Sequence, residues 1–165
     1  LLQQLGADII RFEYLREPAD KSISFDLNHL NVASDDNPLY VVYHAYEILQ
    51  TIFEQIKLRK LKWDKKKGLA GLHHLTYDHE RTLLTDLVRY PEQLQLAQET
   101  HSPTYLVNHL TDIAKDMVAY YHAHQLIDIE DKVRHARLTL IACIKQNMEN
   151  IAELLHLDLK TKPFK

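Results

Sequence analysis

Apolar residues recur every three or four positions in three long stretches of this chain. The stripes cover residues 39–56, 106–124 and 140–155. This spacing places side chains on one face of an α-helix, which turns once in about 3.6 residues. Only three glycines occur in 165 residues, so few positions favour a break within these stretches. We therefore predict an all-α fold.

Capping residues and prolines mark where several helices begin. Asn37 can cap the first turn of the stretch that follows, with Pro38 at the first helical position, and Ser102–Pro103 repeats this pattern. A third helix is expected to begin near Tyr77–His79. We expect Pro91 to end or kink it, with residues 91–100 forming a short further helix.

The two ends of the chain complete this organisation. A first helix is predicted over residues 2–16, stopped by Pro18, and a last one over about 130–157. Residues 18–37 are rich in Ser, Asn and Asp and are interpreted as an extended connector. The result is a helix bundle of about five to six helices with an irregular N-terminal arm.

Composition excludes several classes of protein. The chain is 45% hydrophobic and 26% charged, which indicates an ordered globular domain rather than a disordered one. No apolar run approaches the roughly 20 residues of a membrane-spanning helix. Cys143 is the single cysteine, so no internal disulfide forms, as suits a reducing, cytoplasmic location.

Charge is unevenly distributed. The net charge is −3, yet residues 57–67, KLRKLKWDKKK, carry seven basic side chains and one acidic one. Such a cluster can contact phosphates even on an acidic protein, and Lys57, Arg59 and Lys60 are the candidates. The alternative is a frayed, solvated end of a helix and a loop.

Signatures of catalysis and of metal binding are missing. The sequence has no G-x-S-x-G, no Walker-type glycine loop, no H-E-x-x-H and no paired cysteines. Its histidines lack the spacing and the neighbouring ligands of a zinc site. We predict no catalytic residue and no metal site in this chain.

Aromatic residues offer a different kind of chemistry. Tyr40 and Tyr43 lie three apart on one predicted helix, Tyr120 and Tyr121 lie on another, and Phe164 lies near the end of the chain. Such rings hold single-stranded RNA by stacking on its bases, at about 1–3 kcal/mol per base. Tyrosines with helical spacing are also common core residues, so both interpretations stay open.

Five segments resemble the C-terminal part of arginyl-tRNA synthetases, a region that includes the anticodon-binding DALR domain. They are, in order, LGADIIRFEYL, FDLNHLNVASDDNPLYVVYHAYEIL, DLVRYPEQLQLAQETHSP, YLVNHLTDIAKDMVAYYHAHQLI and ARLTLIACIKQNMENIAELLHL. The second resembles the family's NP-x-x-Y-x-x-Y-A-H-A-R helix, and the last its A-R-L-x-L and L-L-G-I ending. The resemblance covers nearly the whole chain, with its elements in the family's order.

The resemblance implies binding to the anticodon stem and loop of an arginine tRNA. Rings at positions 40, 43 and 121 are then expected to converge on an open, water-facing concavity. Arg137 is expected to brace helices rather than touch RNA. The implied tRNA-binding residues are Asn37, Tyr40, Tyr43, Tyr120, Tyr121 and Phe164.

The resemblance also implies a domain organisation. Residues 1–35 would be the tail of a catalytic half and its connector, and 36–165 the anticodon-binding domain. ATP and Mg²⁺ would belong to the catalytic domain upstream, leaving this part without a cofactor of its own. Three features depart from the family: Glu47 replaces the arginine of A-H-A-R, His156 replaces the glycine of L-L-G-I, and the sequence finishes with Pro163-Phe164-Lys165 where the family commonly has Met after a Pro. Glu47 and the acidic charge keep open the alternative of a helical protein-interaction module without RNA contact.

Overall fold

The computed structural model describes residues 6–18, 21, 30, 32–161 and 163–164. They form six α-helices, a 3₁₀ turn at Leu72–His74 and no strand, so the predicted all-α bundle is confirmed. The predicted irregular arm falls mostly on residues outside the described set. The helices are α1 (Ala7–Arg16), α2 (Pro38–Leu58), α3 (Lys65–Ala70), α4 (Asp78–Thr100), α5 (Thr104–Ala123) and α6 (Asp131–Leu154).

Helix α5 lies at the centre of the bundle, in contact with α1, α2, α4 and α6, while α3 packs on α6. Helices α2 and α6 run in opposite directions, because Tyr46 contacts Glu149 and Trp63, just beyond α2, contacts Thr139. The stripes predicted from spacing form the core. Fully buried members include Phe12, Leu49, Leu83, Leu110 and Met117. None of the helices described is long and apolar enough to cross a membrane.

The starts of α2 and α4 follow the sequence prediction, whereas the cap of α5 and the effect of Pro91 depart from it. Asn37 caps α2 as predicted, and Pro38 occupies its first turn. At α5, Pro103 itself holds the cap position and no side chain caps the helix. Helix α4 continues through Pro91, so the predicted end of the helix there and the separate helix over residues 91–100 are wrong. Pro91 is exposed, and solvent can hydrate the carbonyl that its missing N–H leaves free.

Three helices end in the same way without a glycine. Lys60, His101 and His156 follow α2, α4 and α6 with φ of 53°, 53° and 54°, in the left-handed region. The next N–H in each case bonds five residues back, as Leu157 N does to the Ala152 carbonyl at 2.8 Å. This is the Schellman motif, which satisfies the last carbonyls of a helix.

Candidate nucleic-acid interface

Four rings meet where the first turns of α2 approach the C-terminal end of the chain. This ring cluster consists of Tyr40, Tyr43, His44 and Phe164. Tyr40 and His44, one turn apart on α2, are stacked with ring centroids 5.8 Å apart and an angle of 6° between their planes. Phe164 meets Tyr40 edge-on at 5.6 Å and Tyr43 at 5.8 Å. Tyr40, His44 and Phe164 are half-buried, so the cluster reaches solvent.

The structure corrects the role predicted for Tyr43. Its side chain is 1% exposed and presents no ring face on which a base could stack. The hydroxyl donates to Asp8 Oδ2 at 2.9 Å, and that oxygen also accepts from Asp158 N at 3.1 Å. Burial first, and then this bond to Asp8, raises the pKa of Tyr43 above its usual range. Tyr43 therefore joins α1, α2 and the C-terminal segment and supports Phe164 from inside.

Asn37 is also occupied by the fold rather than free for RNA. It is 7% exposed, and its Oδ1 accepts from Leu39 N at 3.1 Å and Tyr40 N at 3.3 Å. Its Nδ2 donates to the carbonyls of Leu30 and Val32, both at 3.1 Å. The predicted contact of Asn37 with tRNA is thus corrected: this side chain sets the start of α2 and the position of Tyr40.

Tyr120 is sealed inside the bundle at 0% exposure, which corrects its predicted contact with tRNA. Its hydroxyl donates to Glu80 Oε1 at 2.8 Å, and Arg137 Nε donates to the same oxygen at 2.7 Å. Burial and then the charge of Glu80 raise the pKa of Tyr120 above its usual range. The expectation that Arg137 braces helices is confirmed, since this group links α4, α5 and α6.

Tyr121 lies at the opposite end of α2 from the ring cluster. It is 37% exposed and lines an open cleft of about 480 Å³ with Ile52, Arg59 and residues 122–128. Ile52 and Arg59 follow Tyr40 by 12 and 19 residues, roughly 18 to 28 Å along a helix. The predicted convergence of rings 40, 43 and 121 is therefore wrong. Helices α2 and α5 run in the same direction, so Tyr121, near the C-terminal end of α5, lies near the C-terminal end of α2 and away from Tyr40 at its start.

The candidates for phosphate contact differ in exposure and in whether their charge is already in an ion pair. Arg59 Nη1 donates to both carboxylate oxygens of Asp128, at 2.7 and 2.9 Å, so its charge is already paired. Lys57 and Lys60 are exposed, the first in the last turn of α2 and the second at the left-handed position beyond it. Contact of these three with phosphate stays a prediction.

Residues 57–67 form a largely exposed helix end and loop, as the alternative interpretation expected, but they are not frayed, because Trp63 and Asp64 are anchored. The Trp63 ring packs against Phe53 with centroids 5.4 Å apart, and its Nε1 donates to Thr139 Oγ1 at 3.1 Å. Asp64 N donates to His135 Nδ1 at 3.0 Å. Residues 63–64 are thus fixed to α6 immediately before α3 begins.

The geometry can be compared with known proteins. A family model, the DALR anticodon binding domain, matches residues 42–162, which is most of the chain. The chain belongs to this family. An arginine–tRNA ligase of Legionella pneumophila is 35% identical over 150 residues, which are 91% of this chain and 26% of that protein. The chain thus spans about a quarter of the length of such curated relatives.

Two solved structures share the fold of this DALR domain. A Thermus thermophilus arginyl-tRNA synthetase matches with a TM-score of 0.74 and 21% identity, over 99% of this chain and 27% of that one. A Campylobacter jejuni protein described as a candidate arginyl-tRNA synthetase matches with a TM-score of 0.80 and 16% identity. The match covers 99% of this chain and 34% of the Campylobacter jejuni chain.

The DALR domain also carries ring contacts that the sequence reasoning missed. His44 follows Tyr40 by four residues, and this spacing was a usable signal for the stack. Tyr77, 44% exposed, stacks on His124 with centroids 4.2 Å apart, under the Arg137 guanidinium at 4.8 Å. These residues come from separate elements, so no local spacing indicates their contact. Among the residues described, no group of three or more His, Cys, Asp or Glu could hold a metal ion.

The structure shows the surroundings of Glu47 and the backbone conformation of His156, two residues that depart from the family pattern. Glu47 is exposed one turn beyond His44, with 4.0 Å between His44 Nδ1 and Glu47 Oε2, so a carboxylate borders the ring cluster. His156 occupies a left-handed position, with φ of 54°, which explains why the similar ending L-L-G-I has glycine there.

Proposed function

We propose that this DALR domain binds the anticodon stem and loop of an arginine tRNA as part of an arginyl-tRNA synthetase. The observation that carries the proposal is the ring cluster, in which the stacked rings of Tyr40 and His44 reach solvent at one end of α2. Family membership and the arginine–tRNA ligases among its relatives support the same function. The domain binds and orients the tRNA and performs no bond chemistry itself.

Unpaired anticodon bases stack on the exposed side of this cluster. Stacking on an aromatic ring is worth about 1–3 kcal/mol per base and requires a ring that is already held in place. Asn37 fixes the backbone of Tyr40, while Tyr43 and Phe164 support the cluster from inside. Glu47 repels phosphate but can accept a hydrogen bond from an amino group of a base, which favours base edges over backbone at this position.

The remaining chemistry belongs to a longer enzyme. Residues 36–165 are the anticodon-binding domain in this proposal, and residues 1–35 lead into the catalytic half. That half would bind ATP and Mg²⁺ and attach arginine to the tRNA, in the cytoplasm. The tRNA and the catalytic domain are then the two partners of this domain.

The test is the affinity of the 165-residue chain for an arginine tRNA transcript at low salt. Tyr40→Ala removes the ring, and we expect it to weaken binding roughly tenfold, the value of one lost stack. Tyr40→Phe is the matched control, since it keeps the ring, and it should bind like the wild type. Circular dichroism melting of each variant checks that the domain remains folded.

Two results would contradict the proposal. One is a folded Tyr40→Ala variant that binds as tightly as the wild type, which would remove the ring cluster from the interface. The other is a wild-type chain that leaves total tRNA unshifted in a low-salt mobility assay. That second result would favour the protein-interaction module.

A further inference from the structure

A small cleft lies between α3 and the first turns of α6, away from the ring cluster. Its volume is about 260 Å³. The ionisable side chains that line it are all basic, and no carboxylate is among its lining residues. The lining consists of Lys67, Ala70, Gly71, His74, Lys132 and His135.

Neither lysine of this cleft is held in an ion pair with a described residue, although the Asp64 carboxylate lies nearby: the hydrogen bond from the Lys67 backbone first, and also the charges of Lys67 and His135, lower the pKa of Asp64. Lys67 and Lys132 are both exposed, and neither forms an ion pair within the described part of the chain. The nearest carboxylate in sequence to Lys67 is that of Asp64. Its Oδ1 accepts from the backbone N–H groups of Lys66 and Lys67, at 2.9 and 3.1 Å, so it is engaged in capping α3.

His135 adds a fixed donor. Its Nδ1 accepts from the backbone N–H of Asp64 at 3.0 Å, so the proton of the neutral ring lies on Nε2. No described residue hydrogen-bonds to this Nε2. The ring is 9% exposed and lines the cleft, so the N–H is held in one position.

The cleft is rigid because α3 lies directly against α6. A Cβ added to Gly68 would collide with the Thr139 side chain and with the carbonyl oxygen of His135. This approach is closer than any other residue type permits, and it fixes the backbone of Lys67 relative to that of Lys132. The N–H of His135 needs no rearrangement to meet an anion, so little entropy is lost when it is engaged, and the exposed lysine side chains add positive charge.

We propose that this cleft binds a phosphate of the tRNA backbone. Its volume of about 260 Å³ lies below the roughly 300–1,000 Å³ of typical small-molecule sites, which suits a phosphate group better than a nucleoside. Two lysines, a histidine N–H and the neighbouring basic segment supply the charge complementarity. The source of the phosphate rests on the proposed function, because the family is one that binds RNA.

The cleft and the ring cluster are separate contacts on one elongated ligand. Helix α6 has 24 residues, so its first turns lie roughly 30 Å from the residues that follow its end. The ring cluster holds bases, and the cleft holds backbone. Losing the cleft should therefore weaken binding to any tRNA without changing the preference for the arginine anticodon.

The first test is the salt dependence of binding to an arginine tRNA. Each phosphate contact contributes about 0.7–0.9 to the slope of log affinity against log salt. Lys132→Gln should lower this slope by about that amount and weaken binding several-fold at low salt, and Lys67→Gln/Lys132→Gln should lower it further. Lys115→Gln is the matched control, because it removes an exposed lysine of α5 that lies among carboxylates.

Nuclear magnetic resonance of the His135 ring distinguishes the sources of phosphate. We expect tRNA to shift the Cε1–H signal at micromolar concentration, and inorganic phosphate to shift it only at millimolar concentration. A His135 shift with phosphate but none with bound tRNA would overturn the assignment to RNA, and no shift with either would overturn the anion site. A slope unchanged by the lysine variants would overturn the proposal while leaving the ring cluster intact. If the wild-type chain does not bind tRNA at all, that result would instead contradict the proposed function.

Discussion

Each fully buried tyrosine among the described residues donates a hydrogen bond from its hydroxyl to a carboxylate on another element. Tyr46 donates to Glu149 at 2.7 Å, as Tyr43 does to Asp8 and Tyr120 to Glu80. A buried phenol without a partner is costly, and these pairs join separate elements at the same time. Tyr43, Tyr46 and Tyr120 are therefore structural, whereas the rings of Tyr40 and Tyr121 reach solvent.

Spacing could not separate these roles. Tyr120 and Tyr121 are adjacent, and helix geometry requires only that they point about 100° apart, so one is buried and the other exposed. The partner of each hydroxyl lies 35 to 103 residues away in the chain. Asn37 shows the opposite case, because a cap acts on its own next residues and was predicted from sequence.

The left-handed helix ends give a prediction at the scale of one residue. His101 is exposed with φ of 53°, a conformation that costs a residue with a Cβ about 1 kcal/mol. We expect His101→Gly to raise the free energy of unfolding by roughly that amount, measured by urea denaturation. His101→Ala keeps the Cβ and serves as the control. Equal stability of the two variants would mean that α4 ends without this strain.

At the scale of elements, α4 and α5 are joined by a polar seam as well as by apolar packing. Asp86, 5% exposed on α4, faces Asp116 on α5, with Arg89 and Asp112 nearby. Burial first, and then the charge and hydrogen bond of Asp116, raise the pKa of Asp86 from 3.8 to about 6. At neutral pH the charged form of Asp86 is therefore disfavoured by the neighbouring carboxyl groups of Asp116 and Asp112.

This seam should make the fold depend on pH. A carboxyl whose pKa is raised by folding binds its proton more tightly in the folded state. Its stabilising contribution is then present at low pH and is lost as pH rises from about 4 to about 6. We expect Asp86→Asn to raise the free energy of unfolding at pH 7.5 by roughly 1–3 kcal/mol and to flatten this decline.

Thermal unfolding followed between pH 4 and 8 measures the effect. Asp112→Asn is the control, since Asp112 is exposed in the same seam and its removal relieves less repulsion. An Asp86→Asn variant less stable than the wild type at pH 7.5 would show that the carboxylate is needed there.

Element prediction succeeded where the signal is local and failed where packing decides. The stripes at 39–56, 106–124 and 140–155 all became helices. Pro91 did not end α4, because residues on both sides of it, such as Leu87 and Ala97, pack against the core. Helix α3 was not predicted at all: its six residues are mostly lysine and glycine, and its position depends on the contact of Gly68 with α6.

At the scale of the whole molecule, the domain separates two kinds of chemistry. The ring cluster lies where α2 begins, and the basic cleft lies roughly 30 Å away where α6 begins. The net charge of −3 hides this arrangement, because most of the acidic residues lie outside the basic segment. An RNA that meets both surfaces would offer bases to one and backbone to the other.

The central claim is that the ring cluster holds unpaired bases of the anticodon loop. The most direct measurement is the affinity of the chain for an arginine anticodon stem-loop, compared with the same RNA carrying abasic nucleotides at the anticodon. The phosphates of the two RNAs are identical, so only base contacts differ. We predict that the abasic RNA binds roughly tenfold or more weakly, the loss of at least one stacked base. Equal affinity for the two RNAs would contradict the account.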